Sequence, residues 1–266
     1  LFSTIYGVGI NRRFFNQTIG IQNLNINDYF NEKYYIPPLP EQQAIANYLD
    51  QKTAEIDHTI KKQEKLITLL KEKRESLITH AVTKGLDPTV PMKDSGVPWI
   101  GGIPEHWKTA KIRYIYHLLN GGTPSTTNED YWNGDIVWVT PVDLNKSNKY
   151  VTVSDRTISE SGYKNSSTNM VPSNSIVMAT RAPIGYVRLS GTPLCTNQGC
   201  KSLVIAKQEM GLPIFHYYYL SAYEEILTSF GTGATFMELG NNELKDIFLL
   251  NPPLPEQQAI ANYLDT

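Results

Sequence analysis

The stretch Asn251-Pro252-Pro253-Leu254 reads most like a catalytic signature. Asn-Pro-Pro followed by an aromatic residue would suit adenine-N6 methylation of DNA, with the ring stacking on the target base. Leu254 stands where that ring is needed, and the equivalent stretch Ile36-Pro37-Pro38-Leu39 lacks the Asn. No glycine-rich loop follows a leading strand to hold S-adenosylmethionine, and Gly231-Thr232-Gly233 is only a short turn. Glu243-Leu244-Lys245 supplies a fragment of the acid-and-lysine pattern used in metal-assisted hydrolysis. It reads equally as a polar helical turn before a last strand. His58, His80, His106, His117 and His216 are scattered, and Cys195 and Cys200 do not make a zinc spacing with them. There is no Walker loop. The expectation is a non-catalytic chain with no metal and no cofactor.

The elements that would carry any site are announced by a repeat. Pro37–Asp50 and Pro252–Asp265 share the fourteen letters PPLPEQQAIANYLD. Weaker likeness runs upstream at the same offset, with Leu24 on Leu239 and Asn27 on Asn242. Solenoid periods are about 20–50 residues, so a spacing this long means a duplicated module. Pro40 suits a first helical turn, Glu41 complements its dipole, and Lys84-Gly85 makes a stop reinforced by Asp87-Pro88. Between them Leu49, Ile56, Ile60, Ile67, Leu70, Leu77 and Ala81 recur at three, four or seven residues on a charged background. A helix over 41–84 at about 1.5 Å per residue is a rod of roughly 67 Å, coiled-coil-like, with its stripe waiting for a partner.

Residues 86–107 read as a Pro- and Gly-rich linker and domain entry, with Trp99 and Trp107 docking on a neighbouring surface. From 108 to 250 the texture changes to short apolar runs between turns. Ile136–Thr140, Ser175–Thr180, Ile184–Leu189 and Ser202–Ala206 predict strands, and Pro213–Leu227 a helix. The fold class is therefore α+β, one globular domain plus a long coiled-coil-like helix. The expected divisions are 1–36, the tail of an earlier domain; 37–85, helical spacer; 86–107, entry; 108–250, globular domain; and 251–266, the start of a second spacer.

Composition sets limits on function. Hydrophobic residues make up 41% and charged residues 19% of 266, and the net charge is −2. That is ordinary for a soluble domain and gives no global signal for a polyanion. Two cysteines make no disulfide framework, no apolar run is long enough to span a membrane, and Leu1–Thr4 does not open a signal peptide. The expected location is the cytoplasm.

Several segments together resemble one family, the specificity subunits of type I restriction–modification systems. They are PPLPEQQAIANYLD at 37–50; MKDSGVPWIGGIPEHW at 92–107; GGTPS at 121–125 with Tyr131-Trp132 and Asp135–Trp138; TRAPIG at 180–185; and TNQGCK at 196–201. They cover nearly the whole chain in the family's order. The chain departs from a complete family member, which has two target-recognition domains and two long helical regions. Here there is the tail of one domain, a helix, one domain and the start of a second helix. A fragment, a disrupted product and a short form that pairs with itself through the long helix are all open.

The resemblance implies that each recognition domain reads half of a split site on double-stranded DNA, while the helices set the separation. It also implies partnership with methyltransferase and restriction subunits, with the 41–84 helix as their docking surface through Leu49, Ile56, Ile60, Ile67, Leu70 and Leu77. Base reading needs Arg for guanine, Asn or Gln for adenine, and hydroxyls for either; phosphates need cations and small donors. Candidates in the domain are Thr123, Ser125 and Thr126 in a low-bulk loop; Arg156, Lys164, Arg181 and Lys201 as cations; and Asn197 and Gln198 as amides. Residues 108–250 hold 12 basic and 12 acidic residues, so contacts must come from a local face. Tyr217, Tyr218, Tyr219, Trp132 and Trp138 could stack on bases but read better as core. The rival reading is a helical docking protein whose globular domain no longer reads DNA.

Overall fold

The computed structural model describes residues 15–18, 21–31, 33, 36–181, 183–233 and 237–266, with only the backbone of 15–24. The expectations for residues 1–14, and Ala182 within TRAPIG, lie outside these. The architecture is α+β: a helix of 46 residues, Leu39–Lys84, and a mixed globular domain. The chain divides into two compact units, Leu1–Ile67 and Thr68–Thr266.

The first unit holds the hairpin β1 (Phe15–Thr18) and β2 (Ile21–Leu24), a short helix Ile26–Asn31, and the start of the long helix. That start is built as its sequence asks. The first turn has no intrahelical acceptor for its N–H groups, so a proline there forfeits nothing. Gln42 folds back to donate to the Pro37 carbonyl at 2.7 Å. The residues described from Leu39 to Leu77 all lie exposed.

In the second unit the helix ends under cover. Ala81, Val82 and Thr83 are buried. Gly85 takes φ +78° and donates to the Ala81 carbonyl at 3.2 Å. A left-handed residue after the last turn closes a helix, and glycine adopts it without a Cβ penalty. The chain then passes through hairpin β3 (Met92–Asp94) and β4 (Gly102–Pro104), and on to β5 (Lys108–Lys111) and β6 (Tyr116–Asn120). Trp107 is fully buried, and Trp99 packs edge-on against Phe230.

The domain's main sheet has five strands in the order β6, β13 (Cys200–Ile205), β10 (Ile176–Ala179), β11 (Val187–Ser190), β8 (Tyr150–Val151). All its pairs are antiparallel except β11 with β8. Every residue of β10 is buried, because both faces are covered. Side chains alternate across a strand. Ile176 and Met178 therefore join the core under helix Pro213–Ala222, while Val177 and Ala179 join Val139 and Leu144 on the other face. A second sheet orders β12 (Cys195–Thr196), β7 (Trp132–Val139), β9 (Thr157–Ile158) around Trp132, Trp138 and Ile158. Finally β14 (Phe248–Asn251) pairs with β5, and helix Leu254–Asp265 follows.

The stretch read as one helix, 213–227, is two: Pro213–Ala222 and Glu224–Ser229, separated at Tyr223, whose ψ of +29° leaves the helical range. Tyr217, Tyr218 and Tyr219 are all buried in the first of these.

Candidate nucleic-acid interface

The loop after β6 is fixed by its backbone. Gly122 N–H donates to the Thr196 carbonyl at 2.8 Å. A Cβ on Gly121 would lie 1.9 Å from the Asn197 carbonyl oxygen, and one on Gly122 would lie 2.5 Å from Ser167 Oγ. Two glycines are needed because two strands of backbone press on this point. The indoles of the second sheet reach into the same loop. Trp138 Nε1 donates to the Gly122 carbonyl at 2.9 Å, and Trp132 Nε1 to the Ser125 carbonyl at 3.1 Å. The rings meet edge to face at 5.1 Å. Both tryptophans are core, as their sequence context suggests, and they also hold the loop. Trp138→Phe keeps an aromatic ring but removes the donor together with the five-membered ring that carries it, leaving the buried Gly122 carbonyl without its partner. We expect a loss of about 1–2 kcal/mol in urea unfolding; a cost near zero would mean the indole bond is not needed.

The loop so anchored presents hydroxyls. Thr123 Oγ1 donates to Gln198 Oε1 at 2.6 Å, Ser125 and Thr127 share a bond at 2.9 Å, and Thr126 is exposed. Asn128 accepts from Asp130 N–H at 3.1 Å and caps the turn Glu129–Tyr131. Arg156 lies 3.5 Å over the Trp132 ring, a cation–π contact at the loop's far end. Lys164 pairs with Glu160 at 3.1 Å on helix Glu160–Lys164.

The turn between β12 and β13 forms the other side. Asn197 Oδ1 accepts from Gly199 N–H at 3.0 Å, so this amide shapes the turn, while Gln198 is exposed beside it. The Gly199 carbonyl receives Thr180 N–H at 2.8 Å, which brings TRAPIG and TNQGCK together. Here Arg181 Nε donates to Glu238 Oε2 at 3.0 Å, and Lys201 Nζ lies 3.3 Å from Glu238 Oε1. Lys201 is buried and also reaches Thr180 Oγ1 at 3.3 Å. Partial burial opposes ionisation of Glu238, but the hydrogen bonds from Arg181 and Lys201 outweigh it and hold the carboxyl below its ordinary range.

The structure thus gathers Thr123, Asn197, Gln198, Arg181 and Lys201 on one edge. Ser125, Thr126 and Arg156 stand at the far end of the same loop, and Lys164 is on a neighbouring helix. Sequence reading missed Glu238, which lies 57 residues from Arg181 and follows no motif. Of the groups weighed for chemistry, burial pushes the Cys195 thiol up to about 11 and raises Cys200 further. Burial holds His216 down near 4, between the Tyr116 hydroxyl and the Leu250 carbonyl. Among the described residues no group of three or more His, Cys, Asp or Glu could hold a metal ion, and no helix is long and apolar enough to cross a membrane. On the long helix Leu49, Ile56, Ile60, Ile67, Leu70 and Leu77 are all exposed.

Residues 104–266 match the model of the type I restriction modification DNA specificity domain, which is more than half of the chain. The chain belongs to that family. Among curated relatives, the MjaIX specificity subunit of Methanocaldococcus jannaschii is 37% identical over 166 residues, 62% of this chain and 38% of that one. The MjaX specificity subunit of the same organism, named as a putative type I restriction enzyme component, is 27% identical over 87% of this chain and 51% of its own length. The EcoR124I/EcoR124II specificity subunit of Escherichia coli is 28% identical over 60% of this chain and 40% of its own. The chain spans 38% to 51% of the length of these relatives. In fold it is similar to the HsdS subunit from Thermoanaerobacter tengcongensis, with a TM-score of 0.55 at 18% identity over 99% of this chain and 59% of that one. A chain solved in a study of complex assembly and conformational transition of the type I R-M system gives a TM-score of 0.65 at 19% identity over 92% and 55%. The specificity-domain match takes in the glycine loop, the 196–201 turn, Glu238 and the C-terminal helix. It leaves the long helix outside.

Proposed function

We propose that this chain is a non-catalytic, DNA-reading component of a type I restriction–modification complex. The globular domain reads one half of a bipartite duplex target, and the long helix carries methyltransferase and restriction subunits at a set distance. The observation that supports this best is the clustered edge: a hydroxyl loop pinned by two indoles, an exposed amide at Gln198 and a half-exposed guanidinium at Arg181, all on one side of one domain. These are the donor types that base edges and phosphates take. Ser125, Arg156 and Lys164 serve as flanking phosphate contacts, and the exposed Thr126 as a further base-edge contact. The divisions 1–36, 37–85, 86–107, 108–250 and 251–266 mark the tail of one reading domain, its spacer, the next domain's entry and body, and the next spacer. The exposed helical stripe is where companions dock, a second copy of this chain included, in the cytoplasm where such complexes meet DNA.

The test is a gel shift with duplex DNA and the methyltransferase subunit present. Selective retention of one sequence, with a linear fall of log affinity against log salt, supports the reading. Thr126→Ala is expected to shift affinity or target choice by about tenfold while the melting temperature stays within about 2 °C. Salt-sensitive binding with no sequence preference favours the second reading, a docking protein that no longer reads DNA. One observation speaks for that alternative: Arg181 and Lys201 both face Glu238, which lowers the charge this edge offers to phosphate.

A further inference from the structure

Glu238 holds both basic residues of the candidate edge, and what it leaves free on Arg181 has a defined shape. The backbone that carries the carboxylate is fixed. Glu238 pairs with Thr232 through two backbone bonds of 3.0 and 2.9 Å and bridges antiparallel to Arg181, while Leu239 N–H donates to the Thr180 carbonyl at 2.8 Å. Lys201, whose side chain is only 6% exposed, neutralises the second carboxylate oxygen. Glu238 is thus held at both oxygens, the second taking Arg181 at Nε. A guanidinium is planar with five donors in a rigid fork. With Nε occupied, the outer N–H groups of the two terminal nitrogens remain as a parallel pair. Among the described residues no other acceptor holds them, and the side chain is 53% exposed. They face out beside a recess of about 370 Å³ lined by Asn120, Gly121, Gln198 and Asn241.

Guanine presents two acceptors, O6 and N7, to the major groove, and a fork of two parallel N–H groups matches them. Adenine places an amino donor where O6 would be, so the same fork meets a donor and loses one bond. The carboxylate contributes in a second way. A free arginine binds any phosphate; one already paired gains less from bare charge and more from a correctly shaped acceptor pair. It is also ordered before DNA arrives, so less side-chain freedom is lost on binding.

The geometry points to Arg181 as the reader of a guanine in the target half-site, with Glu238 as the residue that fixes its fork and sets its selectivity. This rests on the DNA-reading function proposed above.

The experiment is selection from a pool of duplexes with randomised positions, using the full chain with its methyltransferase companion and sequencing the bound fraction. The expected wild-type motif holds a guanine whose replacement by adenine costs about tenfold. Arg181→Lys keeps the charge, lacks the fork, and flattens that position alone. Glu238→Ala weakens the same preference and raises affinity for an unrelated duplex several-fold, which a merely structural role would not do. If Glu238→Ala fails to fold, Arg181→Lys, at a half-exposed side chain, still decides the matter. A wild-type motif that Arg181→Lys leaves unchanged at every position overturns the inference and leaves DNA reading intact. If no motif emerges from the wild-type chain, DNA reading itself fails, and the assignment of Arg181 and Glu238 falls with it.

Discussion

Ile260→Ala is expected to cost about 3–4 kcal/mol, and Ile45→Ala less than about 0.5 kcal/mol, although the two residues sit in identical fourteen-residue sequences. The difference comes from what each copy meets. Ile260 is 0% exposed and Ile45 is 44% exposed. Around Ile260 the second copy is locked to its domain. Gln257 accepts from Leu212 N–H at 2.7 Å and donates to Asn251 Oδ1 and the Pro252 carbonyl, both at 2.8 Å. Asp265 is held by Tyr218 and Lys149, and Glu256 meets His106 at 2.7 Å. In the first copy Gln42 repeats only the bond to its proline carbonyl, Pro37. Its partner at the Asn251 position is Ile36, which offers no side-chain acceptor. Deleting buried methyl groups forfeits their transfer energy and leaves a cavity; deleting exposed ones does neither. All four tryptophans lie between residues 99 and 138, so fluorescence-detected urea unfolding follows the globular unit, while far-ultraviolet circular dichroism follows the long helix. Equal losses for the two substitutions would mean that the two copies are packed alike.

The same comparison shows what the letters could and could not say. The duplication is legible at 37–50 and 252–265 and, more weakly, upstream at Leu24 and Leu239 and at Asn27 and Asn242, where the structure places matching helices. Helix Ile26–Asn31 and helix Asn241–Asp246 stand at the same offset with little sequence in common. The long helix was legible because 3.6-residue periodicity persists over many turns and its ends carry Pro and Gly. Burial was not, since it depends on what lies opposite, and identical sequences differ in it. Three strands of the domain, Tyr150–Val151, Thr157–Ile158 and Cys195–Thr196, are two residues long, too short to show alternation. In the candidate site, residue type pointed to Arg181, Lys201, Thr123 and Gln198, which the fold gathers. Type alone gave no reason to look at Glu238, because its role arises from a backbone bridge between segments distant in sequence. Nor could it show that GGTPS is more than a turn. That follows from the close approach of Asn197 and Ser167 to the two glycines.

On the docking proposed above, glutamate at Ile56, Ile67 and Leu70 together is expected to weaken assembly with a methyltransferase companion by at least about a thousandfold, while the globular domain unfolds within about 1 kcal/mol of its original stability. All three side chains are more than half exposed; Leu70 also lines a shallow recess with Tyr263 and Leu264, so the loss inside this chain is small. Leu49, Ile56, Leu70 and Leu77 fall at one position of a seven-residue repeat, and Ile60, Ile67 and Ala81 at the position that alternates with it. That spacing is the one a coiled-coil seam uses, where side chains insert between those of a facing helix. Polar Gln63 and Arg74 interrupt the two rows, and such interruptions fix register at some cost in stability. Each aliphatic side chain buried in such a seam contributes about 1.5–3 kcal/mol, so three carboxylates in place of three apolar groups remove most of the drive and add a desolvation cost. Glutamate favours the helix about as well as leucine, so the rod itself should survive with its circular dichroism unchanged. Sedimentation of the mixture reads the outcome. Loss of the heavy species with the companion marks the seam as its docking face. Loss of a homodimer in the chain alone marks it as the surface on which two copies pair. Persistence of every assembly would place the docking face elsewhere and leave the exposed stripe without a role.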